Sequence, residues 1–112
     1  MEDPRIYNIR DVDERYLCPG CGLPGYFEGD SYTDWGGVAG TGSCPCCYWE
    51  PGVTDQPIGT YDHTSILEAL RLHRSGWSSL GPAWSGDPSD IPHGWDGRAQ
   101  LAHLFEVAPH VR

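Results

Sequence analysis

The chain has 112 residues, a formal net charge of −9 and seven arginines but no lysine, a length that suits one domain. So acidic a surface repels phosphate backbones and anionic headgroups, which argues against nucleic acid and membranes as partners and favours a basic protein. No apolar run is long enough to cross a bilayer, and the opening MEDPRIYNIRDVDERY lacks an apolar export core, so a cytoplasmic location is expected.

Residues 1–15 are polar and read as a loosely held N-terminal arm, with Tyr16 and Leu17 leading into the first cysteines. Residues 16–50 hold every cysteine. Between the cysteine pairs, Tyr26, Phe27, Tyr32 and Trp35 suit short strands, and the glycines at 36, 37, 40 and 42 suit turns, which predicts a small irregular β-hairpin region. Residues 51–61 read as loop. A helix is expected over 64–76: Ser65 can cap it, Glu68 completes a capping box, Ile66, Leu67, Ala69 and Leu70 keep helical spacing, and Gly76 suits the C-terminal cap. Arg71 and Arg74 would then sit near the negative end of the helix dipole. Residues 77–95 are rich in Gly, Pro and Ser yet carry Trp77, Trp84 and Trp95. That much aromatic surface implies an ordered loop, packed on the core or open to a partner. Asp96 can cap a short helix over 96–108, with Leu101, Leu104 and Phe105 on one side and Pro109 ending it.

The chemistry lies in the cysteines. Cys18-Pro19-Gly20-Cys21 and Cys44-Pro45-Cys46-Cys47 have CxxC spacing, with 22 residues between them. A CxxC turn points both sulfurs to one side, and two such knuckles face to face make a tetrahedral sulfur cage. Each proline fixes one dihedral of its turn. Gly22 follows the first pair, where the chain can need positive φ; Tyr48 holds the equivalent place after the second. Cys18, Cys21, Cys44 and Cys47 are therefore the expected ligands of one Zn²⁺, with iron as the alternative, since a tetrahedral S₄ site suits both. Cys46 is left over and is expected to be a buried inert thiol, its side chain turned from the metal and its pKa raised. A disulfide frame would need an oxidising compartment and would leave one of five cysteines unpaired; a thioredoxin-like redox pair would need a single CxxC at a helix start.

CPGCG at 18–22, CPCCYWE at 44–50 and SILEAL at 65–70 together resemble the bacterial cysteine-rich CPCC domain family over about residues 16–77. The resemblance implies a small bacterial metal-binding domain acting as an immunity protein in toxin loci. Gly20 stands where the family often has a cysteine, Cys46 and Tyr48 depart from its second knuckle, and the tail from about residue 78 has no counterpart in it. Trp49 and Glu50 map onto the family's Trp-Glu pair; here Trp49 is expected to shield the sulfurs and Glu50 to bond locally.

An enzyme is not expected. His63, His73, His93, His103 and His110 show no ligand spacing, no glycine-rich phosphate loop ends in Lys-Ser/Thr, and four thiolates leave zinc no open position. The expected fold is a small α+β metal-stabilised domain, loop-rich, with zinc-ribbon-like β-hairpins, two zinc knuckles and one or two short helices. The expected function is that of a protein-interaction module, with Trp77, Trp84 and Trp95 on an acidic surface that meets a basic partner. The alternatives are a rubredoxin-like iron electron carrier and an accessory subunit of a larger bacterial assembly.

Overall fold

A computed structural model of the chain describes residues 3–55 and 65–112. His63 and Thr64, the latter the expected first residue of the helical segment, lie outside the described residues, as does most of the expected loop 51–61.

The first hairpin pairs β1 (Ile9–Arg10) with β2 (Tyr16–Leu17) antiparallel, Ile9 opposite Leu17 and Arg10 opposite Tyr16. Asp11 closes it. Its carboxylate accepts from the Asp13 and Arg15 amides and from the Arg15 guanidinium. Burial works against that charge, but the bonds from Arg15 and Asp13 prevail and hold its pKa below the usual carboxylate range. The chain then runs into the first knuckle and returns to bridge Leu17 through Pro24.

The second hairpin pairs β3 (Tyr32–Thr33) with β4 (Gly36–Gly37). Tyr26, Phe27 and Trp35 are in no strand, and Gly36 and Gly37 are strand rather than turn. Two-residue strands carry too little alternation to be read from sequence.

The N-terminal segment is not a loose arm. A 3-10 turn at Pro4–Tyr7, capped by Asp3, brings Tyr7 and Ile9 into the core. Asn8 clamps β3 like a neighbouring strand: its Nδ2 donates to the Tyr32 carbonyl at 2.8 Å and its Oδ1 accepts from the Tyr32 amide at 2.9 Å. The Tyr7 and Tyr32 rings pack at 5.7 Å. These contacts span more than twenty residues, which is why a local reading of a polar N-terminus cannot find them.

Helix α1 spans Ile66–Ser78, with Ser65 Oγ accepting from the Glu68 amide as expected. It runs past Gly76, which is not the cap. His73 and Arg74 therefore lie inside the helix, not at its dipole end. Leu70 and Trp77 each stand three or four residues from both His73 and Arg74, so the four share one face, and that face is turned to the core. Helix α2 spans Gly97–Val107; Asp96 caps it by accepting from the Arg98 and Ala99 amides, Leu104 is buried, and the chain leaves the helix ahead of Pro109. The radius of gyration is 13.2 Å, the value about 110 residues have when well packed, so the irregular segments are folded onto the core rather than extended. No helix among the described residues is long and apolar enough to cross a membrane. Among the described residues the fold is thus a small α+β arrangement of two short hairpins and two helices around a cluster of cysteines.

Candidate metal centre

The two CxxC turns are built alike. The Gly22 amide donates to the Cys18 carbonyl at 2.8 Å and the Tyr48 amide to the Cys44 carbonyl at 2.7 Å. The Cys18 amide donates to Leu23 and the Cys44 amide to Trp49, at 3.0 and 2.9 Å. Both turns exit through positive φ, +88° at Gly22 and +66° at Tyr48. Glycine is needed at the first exit, because a Cβ on Gly22 would come within 2.8 Å of the Gln100 carbonyl. The second exit is open, with the Tyr48 side chain half in solvent, so tyrosine is tolerated there at the cost of strain.

Face to face, the turns bring Cys18, Cys21, Cys44 and Cys47 together, all buried, with every sulfur within 4.8 Å of the others. Cys18 Sγ lies 3.7 Å from Cys47 Sγ, and Cys21 Sγ lies 3.7 Å from Cys44 Sγ. A disulfide needs about 2.05 Å, and all five cysteines are free. A tetrahedron with metal–sulfur bonds of about 2.3 Å has edges of about 3.8 Å, so the two measured pairs already stand at the separation a tetrahedral ion requires. Burial pushes the Cys21 thiol well above its usual value, and its neighbouring sulfurs push the same way. A divalent cation supplies the charge that thiolates need in so dry a place. The donor set fits a structural site for a soft tetrahedral ion.

All eight carbonyl oxygens of the two turns accept a hydrogen bond. Besides the two internal bonds, Arg74 Nη2 donates to Pro19 at 2.9 Å and its Nε to Gly20 at 2.8 Å. Gln100 Nε2 donates to Cys21 at 3.1 Å. The Gly86 and Ser85 amides donate to Pro45 and Cys46, each at 2.8 Å, and His73 Nε2 donates to Cys47 at 2.7 Å. The knuckles are therefore fixed from outside by α1, by α2 and by the tryptophan-rich loop. Burial keeps the His73 pKa low, the bond to Cys47 opposing and Arg74 assisting, so the ring stays neutral and serves as a donor. Gly20 is held by space: a Cβ there would lie 3.3 Å from Cys47 Sγ and 3.4 Å from Trp49 Cβ.

Trp49 is fully buried, as expected of a shield, and its indole donates to the Tyr32 hydroxyl at 2.8 Å. Glu50 bonds locally, accepting from Ser43 at 2.7 Å. Cys46 is buried, and Gln100 Nε2 donates to its Sγ at 3.4 Å. Its pKa runs opposite to the expected rise: the bond from Cys21, helped by that from Gln100, outweighs burial and lowers it.

The three tryptophans expected on a binding face, Trp77, Trp84 and Trp95, pack in part against the core. Trp77 donates to Ala83 at 2.6 Å, Trp95 to Gln100 Oε1 at 2.9 Å, and Trp84 packs edge-on against Trp95 at 5.6 Å. They hold the loop that closes over Pro45 and Cys46. Among the described residues the most exposed aromatic side chain is Trp35, 93% exposed.

The clamp by His73, Arg74 and Gln100 was not identified from sequence. Its one signal is that His73 and Arg74 continue the apolar stripe of α1; Gln100 gives none. No protein-family model matches the chain, and neither curated proteins nor solved structures show a significant match to it.

Proposed function

We propose that the chain is a structural zinc module, not an enzyme, whose Cys18, Cys21, Cys44 and Cys47 hold one Zn²⁺ and whose acidic surface binds a basic protein. The observation that carries this reading is the closure of the centre. Four thiols, all buried, stand close enough together to surround one ion, and every carbonyl of the two turns is taken by a protein donor. A catalytic zinc keeps one position for water or substrate. The ion supplies folding free energy in place of part of an apolar core, and the work is left to the surface. There the charge of −9 favours encounter with a cationic partner. The resemblance to the CPCC family makes an immunity-like role, with a basic toxin as the partner, the specific form of this reading.

The test is to isolate the chain from its native cells at low ionic strength and identify co-purifying proteins by mass spectrometry. The expected result is a stoichiometric basic protein that dissociates as salt approaches about 1 M, where screening shortens to about 3 Å. A chain that elutes alone at every ionic strength refutes the partner. A red eluate would replace zinc with iron and favour electron transfer.

A further inference from the structure

Trp35 is the residue the fold leaves unexplained. It sits at the two-residue tip of the β3–β4 hairpin and is 93% exposed. Large aromatic side chains are the costliest to leave in water, yet the surroundings of this one are built with care. Thr33 staples the turn: its hydroxyl accepts from the Trp35 amide at 3.2 Å and reaches the Gly36 carbonyl at 3.5 Å. Three residues before Trp35, Tyr32 is buried, clamped by Asn8 on one side and bonded to Trp49 on the other. Trp49 in turn lies against the knuckles. The exposed indole is thus carried on a short rigid arm rooted in the metal centre.

The hairpin packs against the 3-10 turn Pro4–Tyr7, whose Ile6 is also exposed. On the other side Gly37 abuts Gly52, which places the half-exposed Val38 and Val53 beside it. Asp34 is the other residue of the tip and lies close enough to Arg5 to feel its charge, while Arg5 itself is held by Asp3. The tip is therefore an aromatic knob with aliphatic neighbours and a charged flank, Asp34, Asp3 and Arg5, that carries one net negative charge.

We infer that Trp35 is the anchor by which this chain docks into an apolar socket rimmed by Arg or Lys on another protein. This rests on the proposed basic partner and says where that partner is held. Two features select the occupant. The net negative flank and the overall charge of −9 oppose a second copy of this chain and complement a cationic rim. The rigid arm means that little freedom is lost when the indole is buried, the condition under which a single tryptophan becomes the dominant residue of an interface.

The test uses a random peptide library displayed on phage, selected on the metal-loaded chain. The enriched peptides are then made and titrated against wild type, Trp35→Ala, Asp34→Asn and Leu80→Ala by fluorescence anisotropy. The expected peptides carry net positive charge together with aliphatic or aromatic residues. Trp35→Ala weakens them by about 30-fold or more, Asp34→Asn weakens them less and flattens their salt dependence, and Leu80→Ala, at a fully exposed aliphatic residue, leaves them unchanged. Metal content confirms that each variant is folded. Peptides that bind Trp35→Ala as tightly as wild type, with salt dependence intact, overturn the docking role while the acidic-surface reading stands. Peptides that lose affinity with Trp35→Ala but carry no positive charge overturn the basic partner instead. A library from which nothing is enriched overturns both.

Discussion

Replacing Arg74 by Met removes the guanidinium that ties α1 to the first knuckle while keeping most of its buried volume. Arg74 is buried, bonds to two knuckle carbonyls at 2.8 and 2.9 Å, and lies over the Phe105 ring at 4.9 Å. Hydrogen bonds from a charged donor contribute about 1.5–3 kcal/mol each, so the two together contribute about 3–6 kcal/mol. Against this stands the desolvation of the guanidinium, the first cause of its lowered pKa, which the nearby cysteines oppose. Four thiolates on a divalent ion carry two net negative charges, and Arg74 offsets one of them. The net loss expected for Arg74→Met is about 3 kcal/mol, or about 150-fold in the unfolding constant. Urea unfolding of the metal-loaded proteins reads this directly: the midpoint falls by about 1–3 M with unchanged slope. Arg71 provides the control. It also makes two hydrogen bonds, both to the Arg112 carbonyl, but on the exposed face of the same helix, so Arg71→Met costs less than about 1 kcal/mol. Equal midpoints for the two variants refute the clamp.

Gly22→Ala combines a φ of +88° with a Cβ 2.8 Å from a backbone oxygen, and loses about 2 kcal/mol or more in the same unfolding assay. Tyr48→Gly goes the other way: at φ +66° and half exposed, the exchange relieves strain and raises stability by about 1 kcal/mol. Cys46→Ser retains one metal per chain by elemental analysis, whereas serine at Cys18, Cys21, Cys44 or Cys47 removes it; metal loss from Cys46→Ser would place the wrong four sulfurs in the centre.

The centre was legible because its signal is local. Two cysteines three apart, each pair with a proline inside it, dictate the turn whatever surrounds it, and Ser65 and Asp96 announce their helices by the same kind of short-range bond. The rest depends on contacts between distant segments. Asn8 reads as a polar residue in a polar arm until Tyr32 is placed beside it. Trp77, Trp84 and Trp95 read as a binding face because composition alone cannot distinguish an aromatic loop that waits for a partner from one that closes over Pro45 and Cys46. Arg74 reads as a dipole partner if the helix stops at Gly76; the helix instead runs on to Ser78 and carries Trp77 against the core, a contact that no local signal announces.

Removal of the metal tests the whole account most directly. The purified, colourless chain is expected to carry one zinc by elemental analysis, and a strong chelator is expected to abolish its tertiary circular dichroism, with recovery when zinc is restored. A chelated chain that keeps its native spectrum and unfolding midpoint would contradict the claim that the fold depends on the ion held by its four cysteines.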